Sequence, residues 1–336
     1  QLPVTSSGST TETQLITVTL QVVAPTAAAA PDISPTGLLF VVQPDTALPP
    51  AQTLLISNQG AGSLGFELVP STESGGNWIR LSASSGSIGT APSTVQAFVN
   101  PAGLPAGIYQ GRVTANFSPG KAQVVHVVLV VAPDNRRTLF GVNACQPAGM
   151  GLLPVTPGAG TDLKVAFPTT VTARVVSTCG TAVNDATVSV QAGGVFIELL
   201  PAGNGLYRGV WTPDQAFPTL NVKFTAVHPN FGIQARTVTV GVVPAPGDVA
   251  LPFITTGGVV DAASFAELRP LAPGEMVSIF GSGFASQDTF ASTIPLNRSL
   301  GGVSVQIGNE NAPLYYAGPN QINAQVPFGS VPGDHL

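Results

Sequence analysis

Few side chains in this sequence are equipped for chemistry, so each can be weighed in turn. Three histidines, His126, His228 and His335, stand far apart in the chain. A zinc site usually draws on four N or S ligands at short spacings, so no metal set is read here. Glycoside hydrolysis would need two carboxylates facing each other across a cleft, and no spacing among the acidic residues singles out such a pair. Gly281-Ser-Gly283 lacks the G-x-S-x-G frame of a nucleophile elbow and reads as a turn. No G-x-x-x-x-G-K-[ST] phosphate loop and no Asp-rich calcium loop is present. His126 lies mid-strand among valines and reads as a packed or edge-facing side chain rather than a ligand. The expectation is a protein that is not an enzyme and carries no cofactor.

Two residue classes remain. Cys145 and Cys179 are the only cysteines. In a strand-rich chain of low charge they are read as one disulfide formed in an oxidising compartment, the alternative being two buried thiols. The aromatics could stack on sugars. Trp78, Trp211 and Tyr207 are expected to anchor cores instead. Tyr315 and Tyr316 are adjacent, so on a strand one of the two must point outward. That makes Tyr315 and Tyr316 the candidate glycan contacts.

The elements that hold these residues are strands. Only 9% of residues are charged, against roughly 25% in ordinary globular chains. Val and Thr are abundant and favour pleated backbone, while 38 Gly and 31 Pro mark frequent turns. No long segment repeats apolar residues at helical spacing. The fold class expected is all-β, tandem immunoglobulin-like sandwiches in a linear array. A net charge of −5 with no basic cluster argues against nucleic acid. No apolar run reaches the ~18 residues of a membrane span. The chain starts at Gln1, as a processed or trimmed secreted protein would, and a secreted or cell-surface location is expected.

A repeat organises the strands. Residues 15–24, Leu-Ile-Thr-Val-Thr-Leu-Gln-Val-Val-Ala, parallel residues 123–132, Gln-Val-Val-His-Val-Val-Leu-Val-Val-Ala. Both precede proline, and Arg236-Thr-Val-Thr-Val-Gly-Val-Val before Pro244 is a third version. The first copy therefore looks like the last strand of a domain that the sequence does not contain. Ile16, Val18, Leu20 and Val22 fall on one face of it, with Thr17, Thr19 and Gln21 on the other, the pattern of a strand built to bury one side. Residues 1–31 are divided into a Ser/Thr-rich extended arm, this orphan strand, and a Pro/Ala linker.

Three further units follow. In residues 32–133, Ile33-Ser-Pro-Thr-Gly-Leu-Leu-Phe40, Trp78-Ile-Arg-Leu-Ser-Ala-Ser-Ser-Gly86 and Ala106-Gly-Ile-Tyr-Gln-Gly-Arg-Val113 resemble a BACON-type immunoglobulin-like domain. That resemblance implies a spacer with a proposed link to carbohydrate. In residues 134–245, Gly203-Asn-Gly-Leu-Tyr-Arg-Gly-Val-Trp-Thr-Pro213 is similar to the hairpin of bacterial adhesin-type immunoglobulin-like repeats, which implies a Tyr and a Trp in the core. In residues 246–336, Val259-Val-Asp-Ala-Ala-Ser-Phe265, the Leu271–Phe284 segment and Ala312–Pro327 resemble an uncharacterised C-terminal domain of large secreted acidobacterial proteins. In that family the sequence continues past Gln-Val-Pro, so this last domain is expected to be incomplete.

Two readings of function result. The first is a structural segment of an extracellular fibre or adhesin, with the strand at 13–24 donated head-to-tail to the incomplete last domain of another copy. Its partners would be copies of the chain itself. The orphan strand could equally be the remnant of a preceding repeat in a longer protein. The second is a polysaccharide-binding accessory module whose partner is a cell-surface or matrix glycan.

Overall fold

The computed structural model describes residues 28–44, 47–118, 120–134, 145–244, 252–266 and 270–330 in full, and the backbone of Leu2–Thr5 and Thr13–Ile16. Every regular element among them is a β-strand, and the chain forms tandem immunoglobulin-like sandwiches.

The first sandwich closes a five-stranded sheet over a four-stranded one. Its two longest strands, Gly107–Phe117 and Lys121–Val131, form a hairpin at the centre of the larger sheet. Gly37–Val42 runs parallel to the end of the second of these. Period-2 alternation sends Val113, Ala115 and Phe117 inward, where they meet Phe40, Leu54, Ile56 and Trp78. Trp78 is buried, and its indole N–H donates to the Ser74 carbonyl at 3.0 Å. The linker ends earlier than expected, because Pro31 opens the strand Pro31–Ser34, paired with Gln52–Asn58. Proline is tolerated at the first position of such an outer strand because no ladder donor is lost there.

The second sandwich is wound from eight strands in one continuous order. Asp162–Lys164, the second strand of this unit, runs parallel to Gly241–Val243 in its last strand, as Gly37–Val42, the second strand of the preceding unit, does with Lys121–Val131. The Gly203-Asn-Gly205 turn carries positive φ at all three residues, as a tight hairpin requires. It brings Tyr207 and Trp211 into the core, as the hairpin resemblance implied. Tyr207 is completely buried, with its hydroxyl donating to the Val183 carbonyl at 3.1 Å and accepting from the Ala186 N–H at 3.0 Å.

The third unit has a five-stranded sheet and a small two-stranded one. Among the described residues its buried core cluster is small: nine residues, against twenty in the first sandwich and twenty-one in the second. Asp261, inside the Val259–Phe265 motif, caps its own turn by accepting from the N–H groups of Ala263 and Ser264 and from the Ser264 hydroxyl. No helix among the described residues is long and apolar enough to cross a membrane.

At the N-terminus, Thr13–Ile16 pairs antiparallel with Leu2–Thr5, and Leu2 stands opposite Ile16. The arm is therefore not simply extended. It turns back, and the beginning of the strand finds local backbone partners. Val18, Leu20 and Val22 lie outside the described residues.

Candidate functional site

Two places in the fold have properties beyond those of an ordinary sandwich surface. One is the junction between the first two sandwiches. The other is the outward face of the third unit's sheet.

The junction begins with a departure from alternation. Along Lys121–Val131, Val125, Val127 and Leu129 face the first core, yet Val128 and Val130 are buried as well. Their cover comes from the second sandwich, where Leu153 and Val176 complete a separate apolar cluster with them. Leu39, Val41, Ile108 and Val155 flank it. Close approach depends on small residues. A Cβ on Gly37 would lie 2.8 Å from the Pro154 carbonyl oxygen, and one on Gly151 would lie 3.0 Å from Ile108. Gly160, at φ +80, sits directly on the Ala122 backbone, and Gly180, at φ +77, sits on Val41. Polar contacts close the edges. The Val124 N–H donates to the Ala159 carbonyl at 2.9 Å, Gln43 Nε2 donates to the Cys179 carbonyl at 3.1 Å, and Thr36 Oγ1 donates to the Val155 carbonyl. Lys121 and Asp162 form an ion pair at 2.9 Å over an open cleft between the two units.

The two cysteines belong to this junction. Cys145 and Cys179 are disulfide-bonded with their Cα atoms 5.8 Å apart. The bond fixes the segment leading into the second sandwich to the turn that touches Val41 and Gln43. His126 also faces the junction. Its Nε2 is buried with no hydrogen-bond partner. Burial, with Arg236 and Arg112 nearby, pushes its pKa below the usual histidine value.

The connection from the second to the third unit is lighter. Strand Phe253–Asp261 lies against Val195–Pro201 and Leu206–Trp211 of the second sandwich, and the hydrogen bonds found there among the described residues are those of Thr256 Oγ1, which accepts from the Thr212 N–H at 2.9 Å and lies 3.5 Å from the Thr212 carbonyl.

On the third unit, Ser278, Asn323, Tyr316 and Phe290 are successive cross-strand partners. Partners in register share a face, so these four form a row. The core residues Val277, Ile279, Ile322 and Ala324 point the other way. Of the two tyrosines singled out in the sequence, Tyr315 is exposed and stands apart from this row, while Tyr316 is half-buried within it. Its ring lies 5.0 Å from that of Phe290, and its hydroxyl donates to Asp288 Oδ1 at 2.8 Å. That hydrogen bond is the main cause holding the Tyr316 pKa above its ordinary value. Phe290 and the amides beside Tyr316 were not singled out from the sequence. The alternating Gln-Ile-Asn-Ala-Gln of 321–325 was the available signal.

No protein-family model matches the chain. No curated protein matches it. Among solved structures it is similar to the periplasmic chaperone SfaE, at 11% identity over 64% of this chain and 100% of that one, with a TM-score of 0.28. The chaperone–tip adhesion subunit pre-assembly complex from the Csu pili of Acinetobacter baumannii matches at 10% identity over 64% and 100%, with a TM-score of 0.29. Extracellular cadherin domains 3–6 of protocadherin gamma B2 match at 12% identity over 89% of this chain and 65% of that one, with a TM-score of 0.24.

Proposed function

We propose that this chain is a non-enzymatic structural segment of an extracellular fibre or adhesin, a secreted protein of the multidomain kind its sequence resembles. The observation that carries the reading is the junction between the first two sandwiches. Flexible beads need only a linker, whereas this pair is joined by an apolar cluster and glycine-enabled backbone contact, with a disulfide bracing the second sandwich's side of the joint. Each fully buried Val or Leu in such a cluster contributes roughly 1.5–3 kcal/mol. The joint therefore resists bending, which suits a spacer or a fibre. The disulfide fits an oxidising compartment.

The strand at 13–24 supplies the link between copies in this reading. Its apolar face of Ile16, Val18, Leu20 and Val22 suits addition to a sheet of another copy, and the small buried core among the described residues of the third unit supports taking that unit as the acceptor. A head-to-tail contact of this type repeats without closing. Sedimentation velocity of the intact chain and of a form lacking residues 1–24 tests the link. The intact chain is expected to form concentration-dependent oligomers and the shortened form to remain monomeric. Intact chain that stays monomeric at high concentration, or a shortened form that still associates, would overturn it.

A further inference from the structure

We propose that the outward face of the third unit's sheet is a binding site for a neutral polysaccharide chain, a function separate from the strand-mediated assembly described above. The row Ser278–Asn323–Tyr316–Phe290 crosses four strands of this sheet, but Ser278 and its partner Val260 on the fifth are buried. The accessible part therefore runs over three strands, from Asn323 through Tyr316 to Phe290, and at ~4.8 Å between strands spans about 10 Å. Phe280 lies on the same strand and face as Ser278, with Phe265 stacked on it at 6.3 Å. The face thus has aromatic rings near both ends and amides between them.

Those amides are specific in what they offer. Gln321, Asn323 and Gln325 alternate outward while Ile322 and Ala324 fill the core. Asn323 Oδ1 accepts from Gln321 Nε2 at 2.8 Å and from the Ser278 hydroxyl at 3.2 Å. That sharing fixes the amide and leaves Asn323 Nδ2 and Gln321 Oε1, a donor and an acceptor, without a partner among the described residues. Asp288 adds carboxylate acceptors beside Tyr316.

A sugar has this same duality. Its C–H faces lie flat on aromatic rings, and its hydroxyls each need a donor or an acceptor. A nucleic acid would call for Lys and Arg instead. A purely apolar partner would leave the amides unpaired at a cost. Tyr316 is also held in place before any ligand arrives. Its hydroxyl and Asp288 Oδ1 lie over Gly318, where a Cβ would come within 2.6 Å of that oxygen and collide with the hydroxyl. The glycine keeps the pair seated, so little side-chain freedom is lost on binding.

Affinity electrophoresis of the intact chain through gels containing xyloglucan, galactomannan, laminarin or alginate tests the site. Retardation is expected on at least one of the three neutral polymers and not on alginate. Tyr316→Ala and Phe290→Ala should each weaken that retardation at least tenfold, and Asn323→Ala should weaken it measurably. Thermal unfolding of each variant shows whether the fold is kept. Should Tyr316→Ala lower stability, Tyr316→Leu serves in its place, since it keeps apolar bulk on the strand and loses the ring. No retardation by any neutral polymer, or retardation that survives both aromatic variants, would overturn the proposal. So would a change in self-association in these variants without glycan binding, because the face would then be a contact between copies.

Discussion

The residues of this chain act mainly by fitting, and their effects are largest where a polar atom is buried. Tyr207 is the clearest case. Its hydroxyl satisfies the Ala186 N–H and donates to the Val183 carbonyl inside a buried core. Tyr207→Phe removes one oxygen and orphans a buried N–H, so the expected loss is about 1–3 kcal/mol, read from denaturant unfolding. His126 acts through pH. Its folded pKa is depressed, so the unfolded chain binds the proton more readily than the folded one. The stability tied to its neutral form is complete above the ordinary value of 6.5 and drains away as pH falls below it. Thermal midpoints measured from pH 7.5 down to 5 should therefore fall more steeply for the wild type than for His126→Val. Equal slopes would mean that His126 does not feel the junction. The core position of Tyr207 was implied by the resemblance of residues 203–213 to an adhesin-type hairpin. The isolation of His126 Nε2 was not, because it depends on what a second domain brings against the strand.

Strands carry the assembly, and their sequence patterns differ in an instructive way. Val-Val-His-Val-Val-Leu-Val-Val, over 124–131, is nearly continuous in apolar residues, and the structure buries both of its faces. Residues 15–24 are its counterpart but keep Thr17, Thr19 and Gln21 on one side, so that strand is patterned for a single buried face. Most strand positions were legible from such alternation. Ile79–Leu81, Ser85–Ile88 and Met150–Thr156 were not, since two are very short and the third, rich in Gly and Leu, has no period of two. The third unit's amide face was also passed over, because alternating Gln and Asn resembles any solvated strand until the aromatic neighbours across the sheet are known. If strand 13–24 is donated, Leu20→Asp places an unpaired carboxylate in an apolar groove. Association should weaken by at least about a hundredfold, measured by sedimentation, while the unfolding midpoint of the monomer stays unchanged.

For the whole molecule the central point is that domains are joined with different firmness. The first two sandwiches share a buried apolar cluster, while the second and third meet through strand Phe253–Asp261 and a hydrogen-bonded pair of threonines, with no shared buried cluster among the described residues. Gly160→Val would force a branched side chain at φ +80 onto the Ala122 backbone. It should cost about 1–3 kcal/mol and separate the unfolding of the two sandwiches into distinct transitions. Replacing both cysteines with serine should cost roughly 2–4 kcal/mol and be reproduced by a reductant acting on the wild type. Tandem order was legible from the repeat, but the firm joint was not, because glycines scattered from Gly37 to Gly180 only converge in three dimensions. The most direct measurement is electron microscopy of the intact chain at concentrations where it associates, with cross-links mapped by mass spectrometry. Unbranched filaments are expected, in which residues 13–24 of one copy are cross-linked to the third unit of the next. Isolated particles, or filaments whose cross-links join other surfaces, would contradict it.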